Sequence, residues 1–401
     1  MRRDLALPAL LGLALGGCLG SRSFHCDQDT DCQRGGVAGH CEATMYCAFD
    51  DTTCATGRRY DPTAGALADT CVGDPDANPG APDAMTDAPP TACPPARIPA
   101  CHPSGGTGPG CDPIQLTTID ASFTLGMVLV DDTLYYASGD GDVRRVSIDG
   151  LAGTSIDGAG GDSVALTADA TNVYWNDYFN GQVRGAPIAL PSTPFDVTTL
   201  TTTPAFGHLV VSGPMLYLNG AGGIFRAPTD GSQPTPTKVV SKVDDGYDPD
   251  VSIGVAVDAT DVYFSDNGRV RRIPIAMAGN DTAASDFALA PGAGEIALDA
   301  DRVYWASTDG IAWRNKDGSG LTVLPVGDTR ARGVALDDQH VYWTTPGGRV
   351  MRVVKGGAVG DIEVIAKGVA DPYEIVVDCG AAYWNIFKNG SHGTVYKARL
   401  P

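Results

Sequence analysis

The sequence predicts an all-β chain: a seven-bladed β-propeller of four-stranded antiparallel blades, preceded by a small disulfide-rich module. Three observations predict it. An aromatic or apolar pair recurs as Tyr135-Tyr136, Tyr174-Trp175, Tyr217-Leu218, Tyr263-Phe264, Tyr304-Trp305, Tyr342-Trp343 and Tyr383-Trp384. Successive first members lie 39, 43, 46, 41, 38 and 41 residues apart, the period of a propeller blade. Both members of each pair are large although adjacent strand residues point to opposite faces, so both faces of that strand must be covered.

The clearest copy shows the elements of one blade. Glu295 to Asp299, Arg302 to Ser307, Ile311 to Lys316 and Leu321 to Pro325 are apolar runs separated by Asp, Gly and Ser, which reads as four short antiparallel strands. The last copy supplies only three such runs before Pro401: Glu374 to Asp378, Ala381 to Ile386 and Gly393 to Arg399. An unassigned run, Ile114 to Asp120, precedes the first copy and is expected to complete the last blade as its outer strand. Closing the ring with both ends of the array leaves no open sheet between the first and last copies.

Tyr174-Trp175-Asn176-Asp177 and, more loosely, Tyr263-Phe264-Ser265-Asp266 resemble the repeats of YWTD-type propellers of the low-density-lipoprotein receptor family. The resemblance covers residues 114–400 and implies a ligand-binding rather than a catalytic propeller.

The N-terminal residues point to export. Met1-Arg2-Arg3 is a basic start, and Leu5 to Leu15 is an apolar stretch too short to span a bilayer. Leu15-Gly16-Gly17-Cys18 resembles a bacterial lipobox, which implies a signal peptide over 1–17, cleavage before Cys18 and lipid on its thiol. Attachment then rests on acyl chains, each buried methylene contributing about 0.8 kcal/mol. Leu19 follows the cysteine where Asp would favour inner-membrane retention in the Gram-negative sorting pattern, so the resemblance implies the outer membrane.

Eleven cysteines less Cys18 leave ten, nine of them between Cys26 and Cys111. That number and crowding predict a disulfide framework, and no C-x-x-C spacing suggests zinc. Residues 18–71 form a cysteine-rich module whose connectivity the sequence leaves open, since six cysteines allow fifteen pairings. Residues 72–92 are an acidic Pro/Ala linker, 93–112 a disulfide-stapled collar, and 113–401 the propeller. Cys111 lies just before the expected outer strand of the last blade and Cys379 in a turn of the same blade, so a Cys111 to Cys379 bridge is expected to staple the closure.

The net charge of -20 excludes a nucleic-acid partner and disfavours adsorption to anionic lipid. It leaves an unknown protein, peptide or glycan ligand, with the membrane contacted by the lipid anchor only. No G-x-S-x-G, H-E-x-x-H, P-loop or dinucleotide motif is present. No cofactor is therefore expected, with one opening for a divalent cation.

That opening lies nine residues before each first aromatic, allowing a two-residue insertion in the second copy. The positions are Gly126, Ser163, His208, Gly254, Glu295, Gly333 and Glu374. They should meet at one end of the channel, where His208, Glu295 and Glu374 could hold a cation or act as acid and base. The alternative reading is thus a cation-dependent hydrolase or lyase at the channel mouth. Tyr178, Phe179 and Phe387, in the longer loops between second and third strands, are the expected contact surface. Arg144, Arg184, Arg226, Arg271, Arg314 and Arg352 recur in third strands, and each is expected to pair with an acid or carbonyl of a neighbouring blade.

Overall fold

The structure is a computed structural model of the 401-residue chain. It describes residues 28–34, 37–42, 47–52, 54, 57–61, 72, 113–119, 124–138, 142–148, 153–157, 163–177, 181–190, 192–200, 208–220, 222–241, 254–266, 268–327, 330–378, 380–386 and 393–400. Cys18, Tyr178, Phe179, Phe387, Cys111 and Cys379 lie outside the described residues, as does the proposed bridge between the last two. The chain divides into two compact units, Met1–Ala81 and Pro82–Pro401.

In the first unit, short strands at His40–Cys41, Cys47–Asp50 and Arg58–Tyr60 form a three-stranded sheet, and Gln33–Arg34 pairs with Val37–Ala38. A disulfide joins Cys32 to Cys47, and Cys41 and Cys54 are also disulfide-bonded. Their small buried cluster contains little beyond cysteine and Phe49, so covalent bridges replace the apolar core that so short a segment cannot assemble. Ion pairs Arg59–Asp51 and Arg58–Glu42, at 2.6 and 2.5 Å, tie the third strand to its surroundings.

The described residues of the second unit form seven four-stranded antiparallel sheets. Six are built from consecutive strands, as in the fifth: Ile296–Leu298, Arg302–Ser307, Gly310–Asn315 and Thr322–Leu324. The seventh takes Pro372–Val377, Ala381–Ile386 and Gly393–Arg399 from one end of the array and Ile114–Ile119 from the other, with Gly393 opposite Ile119 and Lys397 opposite Ile114. The innermost strands touch in cyclic order, the first contacting the second and also the seventh. The ring is therefore closed, and the expected outer strand occupies its place.

The aromatic pairs explain why the sheets stack. Tyr304 packs in a cluster shared with the sixth sheet, beside Val334 and Trp343, while Trp305 packs in one shared with the fourth, beside Tyr263 and Phe287. The same division holds around the ring, so that each junction between neighbouring sheets has its own buried cluster. At the closure, Tyr383 of the seventh sheet meets Met127, Leu134 and Tyr136 of the first. Tyr304, Trp305, Tyr342, Trp343, Tyr383 and Trp384 are all at most 1% exposed, so the second strands of the fifth, sixth and seventh sheets are covered on both faces at the aromatic pair.

The turn before the second strand comes in two forms. In the second, fifth, sixth and seventh sheets an Asp stands five residues before the Tyr and accepts its hydroxyl. The pairs are Asp169–Tyr174, Asp299–Tyr304, Asp337–Tyr342 and Asp378–Tyr383, at 2.7, 2.8, 2.5 and 2.8 Å. The other oxygen of Asp299 accepts from the amides of Asp301 and Arg302. Lys355 of the sixth sheet lies 3.0 Å from the same carboxylate. Burial opposes ionisation of Asp299, yet the bonds from Tyr304, Lys355 and Arg302 outweigh it and hold the carboxyl below its ordinary range. The first and third sheets use two-residue turns instead, Asp131-Asp132 and Gly213-Pro214, in which Asp131 and Gly213 take positive φ of 49° and 53°. Gly pays no steric penalty there and Asp a small one.

The recurrent arginines meet expectation in part. Arg184 reaches Asp157 of the preceding sheet, and Arg314 reaches the carbonyl of Phe287. Arg144, Arg271 and Arg352 instead pair within their own sheets, with Asp142, Asp266 and Glu363. Glu363 stands directly opposite Arg352 in the strand pair, within the reach of a cross-strand ion pair.

Replacing Tyr304 by Phe removes one hydrogen bond and is expected to cost about 1 kcal/mol in urea unfolding. Asp299→Ala removes the turn bonds and the Lys355 partner as well, and should cost about 3 kcal/mol; equal losses for the two variants would contradict this account of the turn.

Candidate functional site

In three sheets the inner strand begins with a short irregular stretch, its pairing to the second strand shifted between Ser163 and Leu166, between Thr124 and Met127, and between Pro372 and Ile375. Whether or not the register shifts, the residue after the aromatic pair accepts from an inner-strand amide in four sheets. Asn176 accepts from Ala165 N, Ser265 from Gly254 N, Thr344 from Gly333 N and Asn385 from Glu374 N, at 2.8, 2.9, 3.0 and 2.9 Å. In these four sheets the polar residue after the aromatic pair thus fixes where the inner strand begins, whereas the first and fifth carry Ala137 and Ala306 there.

At this entry the glycines and glutamates have complementary structural work. A Cβ on Gly254 would lie 2.3 Å from the carbonyl oxygen of Gly294 in the next sheet; one on Gly333 would lie 2.4 Å from that of Tyr373, and one on Gly126 2.5 Å from the amide of Leu166. These junctions are closed by direct backbone approach, which any side chain would block. At the two intervening junctions a carboxylate spans the gap. Glu295 Oε2 accepts from Val334 N of the sixth sheet at 2.9 Å, and Glu374 Oε2 from Met127 N of the first at 2.7 Å. Val334 and Met127 each follow the entry glycine of their sheet, so the two bonds are equivalent.

The third expected member stands apart. Burial pushes the His208 imidazole down to about 4, and no charged group contributes to that shift. It is therefore neutral near pH 7, and its Nε2 is buried with no hydrogen-bond partner. Glu295 and Glu374 by contrast share a sector, since both act on the hydroxyl of Tyr373 together with Arg332 and Arg330. Burial raises the Tyr373 phenol above its ordinary value, Glu374 adds to the rise, and Arg332 opposes it. Burial also pushes Glu374 up to about 8, against the pull of the Met127 amide, so near neutrality it mostly keeps its proton. Among the described residues, no three His, Cys, Asp or Glu side chains come together to hold a metal ion.

Sequence reasoning thus brought the two glutamates to one sector and missed its other residues. Arg330, Arg332 and Tyr373 were legible only as departures, because the entry segments Arg330-Ala331-Arg332-Gly333 and Asp371-Pro372-Tyr373-Glu374 have no counterpart in the other copies. Ser163 occupies the equivalent position in the second sheet, and its side chain is outside the described set.

No protein-family model matches the chain, and no curated protein does. Among solved structures, a streptogramin B lyase aligns with a TM-score of 0.55 at 11% identity, over 71% of this chain and 96% of its own. A catalytically inactive virginiamycin B lyase from Staphylococcus aureus with quinupristin aligns at 0.54 and 16%, over 72% and 99%. The WD40 β-propeller domain of Doa1 aligns at 0.53 and 12%, over 71% and 96%. The fold is a β-propeller, and at these identities the likeness extends to the fold alone.

For Glu374 the native pKa lies above the ordinary 4.5, so between those values the folded chain binds more protons than the unfolded one. Stability contributed by the protonated carboxyl is present below about 4.5 and lost as pH rises through about 8. Glu374→Gln should flatten that fall, measured as urea midpoints from pH 5 to 9; an unchanged slope would show that Glu374 does not titrate as described.

Proposed function

We propose that this chain is a lipid-anchored cell-envelope protein whose propeller is a non-catalytic binding or scaffolding platform. The observation that carries the reading is the engagement of Glu295 and Glu374, whose carboxylates accept from amides of neighbouring sheets. An acid–base pair must be free to exchange protons with a substrate, and a cation needs several converging oxygens or nitrogens. Two braces and a neutral imidazole outside their reach supply neither. The rival reading, a cation-dependent hydrolase or lyase, draws on the lyases among the solved structures, where the likeness is one of fold.

Anchoring is supported by the Leu15-Gly16-Gly17-Cys18 run and the basic start before it. Export is supported by the disulfides of the first unit, since such bonds persist in oxidising compartments. Removal of residues 1–17, with two arginines and one aspartate, takes the net charge from -20 to -21. A surface of that sign suits a protein, peptide or neutral glycan partner and repels nucleic acid and anionic lipid. The acidic Pro/Ala linker gives the platform reach from an outer-membrane anchor.

Cys18→Ser is expected to move the protein from the membrane pellet to the soluble envelope fraction, with loss of acyl labelling. Retention of label in the variant would remove the anchor from the account. Millimolar calcium or manganese should leave the melting temperature unchanged, whereas a rise that Glu295→Gln with Glu374→Gln abolishes would favour the cation-dependent enzyme.

A further inference from the structure

We draw no further inference here: the strongest candidate, the buried His208 imidazole at the entry to the third sheet, rests on a burial-driven shift alone, and the adjoining residues 201–207 and 242–253, whose four aspartates would decide what protonation does there, lie outside the described residues.

Discussion

Each second strand carries two large side chains on opposite faces, and each face meets a different neighbouring sheet. Tyr304 belongs to the junction with the sixth sheet and Trp305 to the junction with the fourth. Burying one such ring contributes on the order of 2 kcal/mol, and here it can be buried only if another sheet stands against it. An isolated sheet would leave one ring of each pair in water, so stability requires that both neighbours be present. That requirement passes from sheet to sheet until the last meets the first, and the meeting of Tyr383 with Met127 and Tyr136 is its consequence. The shared seventh sheet then fastens the ring with backbone pairing between Ile114–Ile119 and Gly393–Arg399.

Much of this was legible because a repeat states its constraints several times. The period, the aromatic pairs, the four strands of the fifth copy and the completion of the seventh by residues near 114 all follow from pattern, and the observed strands agree within a residue or two. The Asp five residues before Tyr was visible in five copies, but only as an acidic turn, and in four of them it accepts the tyrosine hydroxyl. Its second function, accepting the tyrosine hydroxyl, depends on how a four-residue turn folds back along the strand. The two-residue turns at Asp131-Asp132 and Gly213-Pro214 forgo that bond. The arginine partners were misread in part because sequence order does not say which acid lies directly across the strand pair, as Glu363 does for Arg352.

At the channel end, the position of Glu295 and Glu374 was legible and their occupation was not. A carboxylate reads as a functional group in sequence, while the amide from which it accepts lies 39 residues away for Glu295 and 247 for Glu374. The glycines at the same position carry the complementary meaning, since Gly254 and Gly333 stand where neighbouring backbone would collide with any side chain. Together they describe junctions of two kinds, one closed by glycine and one bridged by glutamate. His208 follows neither pattern, and Arg332 and Tyr373 follow no repeat at all. The fold accounts for the residues that recur; those that do not recur are where binding chemistry is to be sought.

The account depends most on the ring being fastened by a strand from the far end of the array. Hydrogen exchange resolved by residue tests that directly, because paired amides of one sheet open together. Amides of Ile114–Ile119 should exchange as slowly as those of Gly393–Arg399, and slower than those of the turn at Asp131-Asp132. Rapid exchange over Ile114–Ile119, with Gly393–Arg399 still protected, would contradict the shared seventh sheet and the closure built on it.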